Sequence, residues 1–173
     1  MFRAMGHTAV RVLDGGLPKW EAEGHAVVPD PASGWAEGDF TATLQPDRIA
    51  DRHAVLEAIA SDAAQILDAR PPVRFSGQAP EPRAGLRSGH MPGALNLPYS
   101  RLIDDQGCLA GENAAMRDAG VDCNRPVITT CGSGVSACIL ALALERIGYP
   151  AAVYDGSWTE WGGHSDTPVE TGQ

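Results

Sequence analysis

One segment, VITTCGSGVSACILALALERIG over residues 127–148, limits the fold more than any other part of the chain. Residues 127–130 are β-branched and follow a proline, which predicts a short buried strand. Residues 137–147 are apolar on nearly every side and Gly148 follows them, which is typical of a core helix with a glycine C-cap. A buried strand joined to a buried helix by a short turn indicates an α/β fold.

The turn, residues 131–136, begins with Cys131 and contains Gly132 and Gly134. Glycines allow positive φ angles and a close approach of the backbone to a ligand. The N–H groups of such a turn point inward at the positive end of the helix dipole, so we expect a lowered thiol pKa and a reactive thiolate. A buried structural cysteine is the alternative, and two glycines within three residues favour the reactive thiol.

Composition limits the class of protein and of partner. The chain has 173 residues, 43% of them hydrophobic, which suits one globular domain with some additional chain. Its formal net charge is −9, Lys19 is its only lysine, and basic residues do not cluster, so nucleic acid and anionic membranes are poor partners. No apolar run reaches the length of a membrane span and the N-terminus lacks a signal-peptide pattern, so we expect a cytoplasmic protein.

The sequence contains four cysteines: Cys108, Cys123, Cys131 and Cys138. None belongs to a C-x-x-C pair and no histidine lies at zinc-ligand spacing, so we expect neither a metal site nor another cofactor. Four cysteines in a chain of this size do not indicate a disulfide scaffold. Cys138 lies about two helical turns beyond Cys131 and is expected to be a small core residue.

Residues 12–20, VLDGGLPKW, are similar to residues 153–161, VYDGSWTEW, and a Gly-His pair follows each segment. Both fit V-x-D-G-x-x-x-x-W, which predicts an internal duplication, with chance similarity as the alternative. The cysteine turn begins 24 residues before Asp155, whereas the matching point before Asp14 would precede Met1. We therefore expect residues 1–28 to be a remnant of a truncated N-terminal repeat that packs on the intact domain or frays.

The rest of the chain divides by composition and periodicity. Residues 29–45 are rich in proline, glycine and acids and are predicted to be a linker, with a short edge strand over 40–44. Residues 46–165 form the complete domain, and 166–173 are a C-terminal tail. Further elements are predicted as helices over 47–61 and 112–119 and strands over 65–69, 94–97 and around 152. Alternating strands and helices indicate a largely parallel sheet, whose ligands bind beyond the carboxyl ends of the strands.

A long polar loop follows Asp68, and it carries four arginines in an otherwise acidic protein: Arg70, Arg74, Arg83 and Arg87. Arginine binds carboxylates through a bidentate fork, so the loop suggests an anion pocket. For any single arginine, the alternative is a surface charge or an internal brace for a carboxylate such as Asp68 or Glu81.

Cysteine-dependent phosphatases also place a thiolate in a strand–turn–helix segment, with an arginine six residues after the cysteine. Here Ala137 stands at that position and the turn has no basic residue. A dianionic phosphate would lack its charge partner, so phosphoryl transfer fits poorly.

Four segments in chain order, RFSGQAPEPR, SGHMPGALNLP, CGSGVSA and VYDGSWTEW, together resemble the catalytic domain of two-domain rhodanese-type sulfurtransferases. LDGGLPKW is similar to the end of that family's non-catalytic N-terminal domain. Neutral Gly132 and Ser133 follow the cysteine, as in the 3-mercaptopyruvate branch, whereas the thiosulfate branch typically has basic residues there. The resemblance implies a rhodanese-like α/β domain with a mostly parallel central sheet flanked by helices on both faces.

The resemblance also implies the roles of individual residues. Cys131 would carry a persulfide, Ser133 would assist proton transfer, and Arg74 and Arg83 would bind the carboxylate and keto group of 3-mercaptopyruvate. The backbone of the turn would stabilise the persulfide through Gly132, Gly134, Val135 and Ser136. The implied partners are a small-molecule sulfur donor and a thiol acceptor, either a small thiol or a thioredoxin-like protein, or cyanide. His90 belongs to the GHMPGALN signature and is expected to be structural.

Two alternatives remain beside 3-mercaptopyruvate sulfur transfer. Thiosulfate is the other donor, and a non-catalytic rhodanese module is the other class. In the family, a histidine and an aspartate of the N-terminal domain relay protons to the serine, and His7 and Asp14 do not lie in the matching motif. We therefore expect a pocket open on one side and weaker turnover.

Overall fold

The computed structural model describes residues 1–29 and 34–172. Residues 30–33 of the predicted linker and Gln173 of the predicted tail lie outside the described residues. The described strands are β1 Ile49–Ala50, β2 Gln65–Asp68, β3 Leu95–Asn96, β4 Val127–Thr130 and β5 Ala152–Tyr154. They form one sheet in the order β1-β5-β4-β2-β3, and each neighbouring pair is parallel. The prediction of a mostly parallel α/β sheet is therefore confirmed.

Helices connect the strands. The α-helices are α1 Gly16–Ala22, α2 Arg52–Ser61, α3 Pro72–Phe75, α4 Glu112–Asp118, α5 Ala137–Arg146 and α6 Ser157–Trp161. Short 3₁₀ turns lie at Arg3–Met5, Pro46–Arg48 and Tyr99–Leu102. In the described ranges, 1–29 and 34–172, no helix has both the length and the apolar character needed to cross a membrane.

Two hydrophobic cores cover the two faces of the sheet. Leu140 and Leu144 of α5 belong to one core, and Trp158 of α6 belongs to the other. Val127 and Ile128 of β4 divide between the cores because successive side chains of a strand point to opposite faces. All four residues of β4 are buried, as expected for a central parallel strand. Helices therefore pack on both faces, as the resemblance implied.

The start of the domain differs from the prediction of one helix over 47–61. Ile49–Ala50 pairs with β5, with Ile49 opposite Val153, and adds an edge strand before the helix. The helix begins at Arg52, where the carboxylate of Asp51 accepts the N–H of Ala54 at 2.8 Å. Pairing with β5 and an aspartate N-cap outweigh the helical spacing of the first residues.

Two other predictions were wrong in detail. Residues 40–44 do not form a strand, although the N–H groups of Thr43 and Gln45 donate to the carbonyls of Met5 and Ala4. Cys138 is exposed rather than in the core. The buried stripe of α5 includes Leu140 and Leu144, and Cys138 lies outside it.

Residues 1–28 contact the domain at α5 and at the loop that precedes α4. The Arg3 guanidinium pairs with the Glu145 carboxylate, and the Asp14 carboxylate accepts the N–H of Leu109 at 3.0 Å. Ala4 is buried, whereas Leu17 of α1 is 53% exposed, so the segment is only partly packed. Like α6 in the similar segment 153–161, α1 directly follows an Asp-Gly pair. The division into a remnant, a linker, a domain and a tail stays a prediction.

Candidate active site

The cysteine turn and the arginine loop meet because their strands are neighbours. β2 and β4 pair in register, with Asp68 opposite Thr130. Residue 69 and Cys131 therefore leave the same edge of the sheet, at the carboxyl ends of two parallel strands. The sequence analysis expected ligands beyond the carboxyl ends of the strands, and the structure adds that these two strands are neighbours.

A cavity of about 370 Å³ opens between these two loops. The cysteine turn contributes Cys131, Gly132, Ser133 and Ser136 to its wall, and the lining is completed by Ala69, Arg70, Pro71, Arg74, Glu81, Pro82, Arg83, Leu86, Tyr99 and Thr159. Cys131 is only 2% exposed, but it faces this cavity and is not enclosed by apolar side chains alone. A small anionic molecule that enters the cavity meets both the thiol and the arginines.

The environment of the thiol favours the thiolate. Burial acts to raise the pKa of Cys131, but hydrogen bonds to the sulfur from the Ser136 hydroxyl and from the N–H groups of Ser133, Ala137 and Gly134 lower it. The hydrogen bonds outweigh burial, so the pKa lies below the ordinary value of a cysteine. The expectation of a lowered pKa is confirmed.

The first residues of α6 hold the backbone around the cysteine. The Ser157 hydroxyl accepts the N–H of Cys131 at 3.2 Å and donates to the carbonyl of Tyr154 at 2.8 Å. The N–H of Trp158 donates to the carbonyl of Cys131 at 2.9 Å. The N–H and the hydroxyl of Thr159 both donate to the carbonyl of Gly132, at 2.9 and 2.6 Å. Sequence analysis did not identify these residues as part of the site, although the repeated Asp-Gly…Trp segment that contains them was a signal.

Arg70 is an internal brace. Its side chain is 1% exposed and donates to the carboxylates of Asp68 and Glu81, at 2.7 and 2.9 Å, while its Cζ lies 4.1 Å from the centre of the Trp158 ring. Arg87 likewise donates to backbone carbonyls, among them that of Thr167 at 2.8 Å. The carboxylate-bracing alternative is therefore confirmed for Arg70, whereas Arg87 braces backbone carbonyls and not a carboxylate.

Arg74 and Arg83 face the cavity. Arg74 pairs with the buried carboxylate of Glu81, and its Nη2 lies so close to the turn that a Cβ atom on Gly132 would stand 3.0 Å away. Arg83 is exposed, and its Nη1 donates to the Thr159 hydroxyl at 3.1 Å. The two arginines predicted to bind the donor are thus brought to the thiol, and their roles stay predictions.

Comparison with known proteins assigns the family. The sequence model described as "Rhodanese-like domain" matches residues 51–164. The chain belongs to the rhodanese-like family. This rhodanese-like chain is 39% identical over 173 residues to the 3-mercaptopyruvate sulfurtransferase of Escherichia coli K12, covering 98% of the chain and 61% of the relative. It is 41% identical over 165 residues to the thiosulfate sulfurtransferase of Gallus gallus, covering 93% of the chain and 56% of the relative.

Solved structures agree with this assignment. The crystal structure of SseA from Escherichia coli, described as a 3-mercaptopyruvate sulfotransferase with the rhodanese fold, matches with a TM-score of 0.76 and 37% identity. The match covers 91% of this chain and 60% of that one. The chain spans about three-fifths of the length of these relatives.

The remaining predicted residues of this rhodanese-like site differ in position. Gly134 has a φ of +83°, and a Cβ atom there would lie 2.9 Å from the carbonyl oxygen of Asp155, so this position requires glycine. Val135 is 76% exposed and does not line the cavity. His90 is buried, its Nδ1 lies 2.8 Å from the carbonyl of Phe75, and its ring stacks on that side chain, which agrees with a structural role.

Proposed function

We propose that this chain is a sulfurtransferase that moves sulfur from 3-mercaptopyruvate to a thiol or cyanide through a persulfide on Cys131. One observation carries the proposal: a thiol with a lowered pKa faces a cavity that three arginines also line, and two of them, Arg74 and Arg83, are not enclosed as Arg70 is. The curated relatives named for this activity support the choice of donor.

In the first step, the Cys131 thiolate attacks the sulfur of 3-mercaptopyruvate. The S–S bond forms as the C–S bond breaks, and pyruvate leaves as its enolate, which takes up a proton. Ser133 lines the cavity beside the thiol and is proposed to assist this proton transfer. The guanidinium groups of Arg74 and Arg83 are proposed to hold the carboxylate and the keto group. The N–H groups around the sulfur stabilise the negative charge of the persulfide.

In the second step, a thiolate acceptor or cyanide attacks the outer sulfur, and Cys131 leaves as the thiolate. A small thiol or a thioredoxin-like protein is proposed as the thiol acceptor. All four cysteines are free thiols in the structure, which fits a reducing compartment, and we propose the cytoplasm.

Thiosulfate is the second candidate donor. The chicken relative named thiosulfate sulfurtransferase supports it at 41% identity. The neutral Gly132 and Ser133 favour 3-mercaptopyruvate, because thiosulfate is a dianion and these positions offer it no positive charge. Steady-state kcat/KM for the two donors separates these candidates.

The direct test treats the purified chain with 3-mercaptopyruvate and measures the mass of the peptide that contains Cys131. We expect that peptide to gain the mass of one sulfur atom, and a dithiol added afterwards to release sulfide. Cys131→Ser should abolish both signals. Cys138→Ser is the matched control, because Cys138 is exposed on α5, the helix that follows the turn, and does not line the cavity. The proposal is refuted if wild type and Cys131→Ser release sulfide equally. It is also refuted if the wild type forms no persulfide with either donor, and that result would favour a non-catalytic module.

A further inference from the structure

The hydroxyl of Thr159 joins the two halves of the site. It donates its proton to the carbonyl of Gly132 in the cysteine turn, at 2.6 Å. A hydroxyl has one proton and two acceptor lone pairs, so it remains free to accept, and Arg83 Nη1 donates to it at 3.1 Å. Arg83 is thereby connected through one side chain to the turn that carries Cys131.

Arg83 depends on this contact more than the neighbouring arginines do. Arg70 and Arg74 are held by the buried carboxylate of Glu81. Among the described residues, no carboxylate lies within 4.0 Å of the Arg83 guanidinium, so its charge is available to a ligand while its position depends on Thr159.

The similar segment near the N-terminus differs at this position. Aligning VLDGGLPKW with VYDGSWTEW places Pro18 opposite Thr159 and Gly16 opposite Ser157. Proline has neither a hydroxyl nor a backbone N–H, so the first segment cannot make either contact to a turn carbonyl. The hydroxyl contacts therefore belong to the copy that carries the cysteine turn.

We propose that Thr159 is a positioning residue that orients Arg83 toward the carboxylate of the sulfur donor. This inference rests on the proposed function for the identity of the donor. Its consequence is that the hydroxyl contributes mainly to donor binding, since the N–H of Thr159 holds Gly132 independently of the side chain.

Thr159→Val removes the hydroxyl and keeps the shape and the backbone N–H. We expect KM for 3-mercaptopyruvate to rise about three- to tenfold, the size of one lost hydrogen bond, with little change in kcat. Thr159→Ser keeps the hydroxyl and should restore KM. In an Arg83→Met background, Thr159→Val should produce no further rise, because the residue that it orients is absent.

A second measurement does not require turnover. Iodoacetate carries a carboxylate and iodoacetamide is its neutral counterpart, so the ratio of their rates at Cys131 reports the positive charge in the cavity. Thr159→Val should lower this ratio about threefold while leaving the iodoacetamide rate unchanged, because Arg83 is no longer held near the thiol. Fragment-ion sequencing of the peptide, which also contains Cys138, assigns the label to Cys131, and thermal unfolding verifies that the variant is folded. Thr159→Ala replaces Thr159→Val if that variant does not fold.

An unchanged KM and an unchanged alkylation ratio in a folded Thr159→Val variant would overturn the inference. So would a rise in KM that is as large in the Arg83→Met background as in the wild type. A lower kcat with unchanged KM would also overturn it, since that result indicates a role in the turn and not in donor binding. If the wild type uses neither donor, the proposed function fails, and the alkylation ratio still decides the role of Thr159.

Discussion

Burial acts to raise the pKa of Cys131, and the Ser136 hydroxyl is the group that lowers it most. Ser136→Ala removes that donor and leaves the N–H groups of Ser133, Gly134 and Ala137 in place. The thiolate should therefore be less stable relative to the thiol, and the pKa of Cys131 should rise toward the ordinary cysteine value.

The expected size follows from the type of bond. A hydrogen bond to a charged group contributes about 1.5–3 kcal/mol, and about 1.4 kcal/mol corresponds to one pKa unit. Because three backbone donors remain and can compensate, we expect the smaller value, a rise of about one unit. At a pH below the Cys131 pKa of both proteins, a rise of one pKa unit lowers the thiolate fraction about tenfold. The more basic thiolate is intrinsically more reactive, so the alkylation rate should fall only about threefold.

The assay is the rate of Cys131 alkylation by iodoacetamide as a function of pH, read from the peptide that contains Cys131. The rate increases as pH rises through the pKa, so Ser136→Ala should move the midpoint to higher pH. Ser133→Ala is the matched control, because Ser133 contributes its backbone N–H, which alanine retains. Cys138 also reacts, but partial desolvation of its sulfur raises its pKa, so its profile lies at higher pH.

Two results would refute this reasoning. A midpoint in Ser136→Ala equal to that of the wild type would mean that the hydroxyl does not stabilise the thiolate. An equal shift in Ser133→Ala and Ser136→Ala would mean that either change disturbs the whole turn, and that no single donor can be credited with the effect.

Two further predictions concern stability and are measured by urea unfolding. Glu81→Gln should lower the free energy of unfolding by about 3 kcal/mol, because it removes one of the two buried carboxylates that pair with Arg70. The control, Glu57→Gln on the exposed side of α2, should change the free energy of unfolding by less than about 0.5 kcal/mol. Equal losses in the two variants would contradict this prediction. Gly134→Ala should destabilise more than Gly85→Ala, since both have positive φ but only Gly134 meets a backbone oxygen, at 2.9 Å; similar losses would show that the close approach is unimportant.

Sequence analysis was most successful where structure depends on local preferences. The β-branched residues of β4, the glycines of the turn and the apolar α5 each favour one conformation, so the strand–turn–helix unit and the position of Cys131 could be predicted. The sequence also predicted ligand binding at the carboxyl ends of parallel strands, but only the pairing of β2 with β4 makes the two loops neighbours.

Other features depended on contacts between distant residues. Ile49–Ala50 has helical spacing with the residues that follow, and only its pairing with β5 makes it a strand. Cys138 belongs to an apolar helix, and only the packing direction of α5 shows that it is exposed.

The sequence by itself determined the α/β class, the thiol at a helix N-terminus and the presence of an arginine-rich loop after another strand, because these follow from periodicity, glycine conformation and residue type. Only the tertiary structure decided that Arg70 is a brace while Arg74 and Arg83 face the cavity, and that Thr159 contacts both loops. The physical reason is that the role of a charged or polar side chain depends on which partners folding buries next to it, and those partners come from other strands and helices.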